Sequence, residues 1–171
     1  MWIQYPAFIF PRFIMTDIRL INLPYQEELL TLFECFRALP LPILLDSNHK
    51  NFANTQFDIL VADPLATLEA NETDHSLVWK NQPLYNIVQN GTPFDTLETL
   101  LNTICMEPWA QKASKHLPFT GGVLGYFSYE SGRYLESLPQ NTIQDVSIPE
   151  VLAGLYGWAI ISLHESKETV L

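Results

Sequence analysis

Positive charge is scarce in this chain. Nine Lys+Arg stand against nineteen Asp+Glu, a net charge of −10. Nucleic acid and anionic membrane surfaces are both recognised by clustered cations, so neither is an expected partner. Charge of either sign is also sparse, at 16% of residues, whereas apolar residues reach 47%. A chain of 171 residues with that apolar content can bury a sizeable core, as one domain or a large piece of one. So little charge is low for a freestanding domain and implies that part of the surface is meant to be covered.

Cysteine is equally rare. Cys35 and Cys105 lie far apart, in no metal-type spacing. They are expected as reduced, buried thiols on helix faces of a cytoplasmic protein. The histidines, His49, His75, His116 and His164, are scattered, without carboxylates at ligand spacing. They read as surface or loop residues, and no metal site is expected. No apolar run is long enough to span a bilayer. The N-terminal MWIQYPAFIFPRFIM is broken by Pro6 and Pro11 and lacks both a basic start and a small-residue cleavage site. Residues 1–14 therefore read as an apolar extension, poorly ordered or lying on an apolar surface, ahead of a domain at 15–171. The last three residues, Thr169-Val170-Leu171, start a strand at the low end of usual lengths. The domain is accordingly expected to be truncated at its C-terminal end.

What is present alternates between helical and extended patterns. Pro24 to about Leu39 predicts a helix, with Leu29, Leu32, Phe33, Phe36 and Leu39 as its apolar stripe. ILLDS (43–47) and FDILVA (57–62) read as buried strands, and 66–70 with 76–80 as the arms of a hairpin. Thr92-Pro93-Phe94-Asp95 carries the signals that open a second helix: a cap, a first-turn proline and an acidic residue for the helix dipole. Strands are expected at 123–129 and 154–164, and a short helix at 131–138. This order predicts an α+β protein with largely antiparallel sheets and flanking helices.

Candidate chemistry is thin. LPFTGGVLGYFSYESGRYLESLP (117–139) holds Gly121, Gly122, Gly125 and Gly132, but it is neither a dinucleotide fingerprint nor a P-loop. Its glycines precede a strand rather than a helix N-terminus, so they read as a tight entry into that strand. Ser128 and Ser131 do not stand in a nucleophile elbow. Asp46-Ser47, at the end of ILLDS, admits two readings. The pair could hold a zwitterion, with Asp46 on an ammonium and Ser47 on either end, or both could cap the turn after the strand.

Four stretches, ILLDS, FDILVADP, LPFTGGVLGYFSYESGRYLESLP and IPEVLAGLYGWAIIS, occur in this order. Together they resemble the N-terminal portion of component I of aminodeoxychorismate synthase, and more distantly that of anthranilate synthase. The resemblance runs from about Met15 to Leu171. It implies an incomplete part of the two-sheet sandwich of chorismate-utilising synthases, cytoplasmic and without the catalytic half. The full-length enzymes of that family convert chorismate and ammonia to 4-amino-4-deoxychorismate for folate and 4-aminobenzoate biosynthesis. They use Mg²⁺, held in the half that has no counterpart here, and a glutamine amidotransferase subunit. No catalytic residue or metal ligand is carried over, and this chain alone is expected to be inactive. The portion present is structural and regulatory: it packs on the chorismate-binding half and forms much of a tryptophan pocket. The matching effector residues are Leu45, Asp46, Ser47, Thr55 and Phe57. Gln56 stands where the family commonly has arginine, and glutamine supplies neither the charge nor the guanidinium fork. Two alternatives remain: an anthranilate synthase domain with a tryptophan feedback pocket, or a standalone amino-acid-binding or subunit-docking module.

Overall fold

The structure is a computed structural model and describes residues 18–48, 56–71, 74–80, 91–103, 117–137 and 147–171. The expectations for residues 1–14, Asn54, Thr55, His49, His116 and Cys105 lie outside the described residues. The α+β class with antiparallel sheets is what forms: every strand pair is antiparallel.

In chain order the elements are β1 (Asn22–Leu23), α1 (Leu30–Phe36), β2 (Ile43–Leu45), β3 (Phe57–Val61), β4 (Ala66–Asn71), β5 (Asp74–Trp79), α2 (Pro93–Thr103), β6 (Gly122–Phe127), a 3-10 helix (Tyr129–Tyr134), β7 (Val151–Tyr156), β8 (Ile160–Leu163) and β9 (Glu168–Val170). They build a five-stranded sheet, β1-β9-β8-β3-β2, and a four-stranded sheet, β5-β4-β7-β6.

Strand alternation decides what each face packs on. In the five-stranded sheet, Leu44, Leu60 and Ile160 are aligned across three strands. They form the core beneath Leu29, Leu32, Phe33 and Phe36 of the α1 region. The opposite face carries Ile43, Ile59 and Val61, which meet Tyr156 and Leu124 of the four-stranded sheet, with Phe119 between. The far face of the four-stranded sheet buries Leu68, Leu77, Ala153 and Leu155 against Leu97 and Leu100 of α2. Burying each such leucine stabilises by about 1.5–3 kcal/mol.

Four expectations need correcting. The first helix starts at Leu30, not Pro24, because the lead-in is tied to the sheet: the Gln26 amide donates to Thr169 Oγ1 at 2.8 Å. The run 154–164 is two strands. Gly157 to Ala159 carries the chain from the four-stranded to the five-stranded sheet, and Tyr156, 1% exposed, donates its hydroxyl to the Leu41 carbonyl at 2.7 Å across that join. The segment expected as a helix at 131–138 is the 3-10 helix 129–134. It is held by Arg133 beside the buried Glu150 at 3.6 Å. Cys35 is exposed, on the outer side of α1, rather than buried.

The glycine-rich stretch behaves as a strand entry. Gly121 and Gly122 take φ of 112° and 140°, a region that favours glycine. Gly125 permits a close approach: a Cβ there would lie 2.2 Å from the Leu152 carbonyl oxygen and 2.5 Å from Ala153 Cα.

Candidate functional site

Among the described residues, the end of the five-stranded sheet where β2 stops and β3 starts gathers a connected group of buried polar side chains. Asp58 is the only charged residue of β3, FDILV. Alternation places it on the same side as Leu60, the side covered by α1. At 2% exposed its carboxylate needs partners, since an isolated buried charge is costly. It has them. Oδ1 accepts from the Ser47 amide at 2.8 Å and from the Ser47 hydroxyl at 2.7 Å. Oδ2 lies 3.2 Å from His164 Nε2, and both side chains are nearly fully buried. Across the imidazole, Nδ1 is 3.0 Å from the Tyr25 hydroxyl. Nε2 thus approaches the carboxylate at ion-pair distance but outside hydrogen-bond geometry, and Nδ1 is the ring atom that meets the Tyr25 hydroxyl.

A second row runs beside it on the same face. Asp58 pairs with Ser162, and Ser162 with Thr169. The two hydroxyls are 2.9 Å apart, and Thr169 accepts the Gln26 amide. These groups join the loop after β2, the end of β8, β9 and the lead-in to α1. The chemistry of the arrangement is that of a clamp. The Ser47 hydroxyl donates to a carboxylate, not to an imidazole, so no base is set to deprotonate it.

The residues expected from sequence are divided by this geometry. Leu45, opposite Ile59 in the ladder, and Phe57, two residues earlier, lie on the face away from α1. Both are partly exposed. Phe57 and Gln56 line a groove of about 630 Å³ together with Leu163, Glu165 and Glu168. Ser47 instead turns to Asp58 on the α1 side. The exposed Asp46 accepts the Asn48 amide through Oδ1 at 2.7 Å, and Asn48 has a φ of 52°; these are the bonds of a turn. Leu45 and Phe57 are thus neighbours, and Asp46 and Ser47 occupy the adjoining turn. Thr55 lies outside the described residues.

His75 and His164 are not surface residues. His75 is 8% exposed, and its Nε2 lies 3.0 Å from Thr96 Oγ1, joining β5 to α2. Asp58, His164 and Tyr25 were not singled out by sequence reasoning. A signal existed for two of them. A lone aspartate in an apolar strand, in phase with Leu60, demands a buried partner, and His164 is in phase with Ile160 and Ser162. Among the described residues, Ser131 is buried and donates to the Ser128 carbonyl at 2.7 Å. No group of three or more metal-ligating side chains is found among the described residues, nor any helix long and apolar enough to cross a membrane.

A second groove, of about 530 Å³, is mostly apolar. Ile21, Phe36, Phe119, Trp158, Ile161 and Val170 contribute to its walls. Phe36 and Trp158 pack with ring centroids 5.6 Å apart.

No family model matches the chain. Curated relatives do. The aminodeoxychorismate synthase component 1 of Salmonella typhimurium is 32% identical over 148 residues, covering 86% of this chain and 31% of that protein. The protein of the same name from Klebsiella aerogenes is 31% identical over 158 residues, covering 92% of this chain and 34% of its own. Among solved structures, anthranilate synthase component I from Streptococcus pneumoniae TIGR4 superposes with a TM-score of 0.54 at 16% identity, over 85% of this chain and 29% of that one. That likeness shows the fold, which matches part of the anthranilate synthase component I architecture. The chain is thus similar to aminodeoxychorismate synthase component 1 proteins and spans about a third of the length of those relatives.

Proposed function

We propose that this chain is the N-terminal, non-catalytic part of an aminodeoxychorismate synthase component I-like enzyme. The whole enzyme would take chorismate and ammonia to 4-amino-4-deoxychorismate, in folate and 4-aminobenzoate biosynthesis. One observation carries the reading: 86% of this chain matches a protein of that name, yet fills only 31% of it. Its partners would be a chorismate-binding portion, which would hold Mg²⁺, and a glutamine amidotransferase; the relatives' designation as component 1 supports a further component. The enzyme would work in the cytoplasm. The apolar groove beside Trp158 and the partly exposed Leu45 and Phe57 support a body built to be covered on one face.

Within that reading, tryptophan would sit against Leu45 and Phe57, with Asp46, Ser47 and Thr55 at its polar end. Two things support this: the shared face of Leu45 and Phe57, and the turn that holds Asp46 and Ser47 beside them. Calorimetry on a fusion of this chain to the unmatched portion of the Salmonella relative tests the claim. Heat of tryptophan binding that is lost on Phe57→Ala supports it, and no binding at millimolar tryptophan removes it.

The functional test is growth. In cells lacking their own component 1, the fusion should remove the requirement for 4-aminobenzoate, and this chain alone should not.

A further inference from the structure

Sheets with open edges recruit strands unless the edge is protected by shortness, proline, charge or a covering segment. Among the described residues, three of the four sheet edges have such protection. β1 has two residues and is followed by Pro24, and β2 has three residues, preceded by Pro42 and followed by the exposed Asp46. β5 begins at the exposed Asp74 and ends against Lys80, which pairs with Asp63. β6 differs. It has six residues, GVLGYF, without charge or proline, and it pairs on one side only, with β7. Tyr126 and Phe127 are 39% and 47% exposed, and the next residue but one, Tyr129, is 90% exposed.

The register identifies which backbone groups of β6 face outward. The Ser128 amide donates to the Glu150 carbonyl at 2.8 Å, one step beyond the Phe127–Val151 pair. Bonding alternates along an antiparallel pair. Tyr126, Leu124 and Gly122 therefore bond to β7, and Val123, Gly125 and Phe127 turn their N–H and C=O away from it. No described strand takes those groups.

We infer that β6 is the acceptor edge for a strand of the chorismate-binding portion, added by main-chain pairing to Val123, Gly125 and Phe127. The inference rests on the proposed function. It names the place of contact, and the occupant follows from the proportion matched: about two thirds of each relative's length lies beyond this chain's match, and that portion must pack somewhere on it. The incoming strand should be uncharged where it faces Tyr126 and Phe127, because an unpaired charge buried there would be costly.

Amide hydrogen exchange tests this, on the chain alone and on the fusion to the unmatched portion of the Salmonella relative. In the fusion, the amides of Val123, Gly125 and Phe127 should exchange at least about tenfold more slowly than in the chain alone. Leu124 and Tyr126, already bonded to β7, should change less. Phe127→Pro in the fusion removes one outward donor without touching the β7 bonds and should return Val123 and Gly125 to fast exchange. Phe127→Leu, which keeps that donor, should not. An active, folded fusion with the three amides unprotected overturns the inference and leaves the proposed function standing. An inactive fusion with them unprotected overturns both. Protection of the three amides in a concentration-dependent dimer of the chain alone would mean that a second copy is the occupant, and would also overturn it.

Discussion

Replacing Asp58 by alanine is the sharpest probe of the interior. The carboxylate is 2% exposed, accepts two hydrogen bonds from Ser47, and faces a nearly buried His164. A hydrogen bond to a charged group is worth about 1.5–3 kcal/mol. Removing the carboxylate deletes two such bonds at once. The alanine also leaves the Ser47 amide without its acceptor. Asp58→Ala should thus destabilise by about 3–5 kcal/mol, a fall in Tm of roughly 6–20 °C for a domain of this size. Ser47→Ala removes only the hydroxyl bond and should cost about 1.5–3 kcal/mol. Urea unfolding of wild type, Asp58→Ala, His164→Ala and the double variant forms a cycle in which the two single losses should not add. An Asp58→Ala cost below about 1 kcal/mol, or strict additivity with His164→Ala, would refute the clamp.

Three further outcomes are expected. Tyr156→Phe deletes the hydroxyl bond to the Leu41 carbonyl and should lower stability by about 1–2 kcal/mol in the same assay; no change would mean the join between the sheets does not depend on it. Gly125→Ala forces a Cβ to within 2.2 Å of the Leu152 oxygen and should cost about 3 kcal/mol or prevent folding, seen as lost expression or an early thermal transition. Asp95 caps α2. Hydrogen bonds from the Thr92 amide and then the Thr92 hydroxyl hold its carboxyl below the ordinary 3.8. The folded value is the lower one, so the cap stabilises fully above the unfolded value and its contribution is lost as pH falls through the folded value. Urea midpoints followed from pH 5 downward should fall more for wild type than for Asp95→Asn, and parallel curves would contradict this.

The cap on α2, the hairpin of β4 and β5, and β3 were legible in the sequence, because each is written locally: a Thr-Pro-Phe-Asp start, a polar turn between alternating arms, an apolar run stopped by Asp63-Pro64. What was not legible depends on distant partners. Tyr25 and His164 are 139 residues apart in sequence, so nothing near Pro24 shows that the sheet will hold that segment out of the helix. The break at Gly157 was hidden because Tyr156, Ile160 and Ile161 are all buried, and a run apolar on both faces reads as one strand whether or not it changes sheets. At the candidate site, local reading singled out Asp46 and Ser47, and Leu45 and Phe57 were expected from the family resemblance. It missed that alternation sends Leu45 and Phe57 to one face while Asp58 holds Ser47 on the other.

The most direct measurement is turnover by the purified chain supplied with chorismate, ammonia and Mg²⁺. The account predicts no 4-amino-4-deoxychorismate from this chain alone and product from the fusion that adds the unmatched portion of its relative. Product from the chain alone would contradict it.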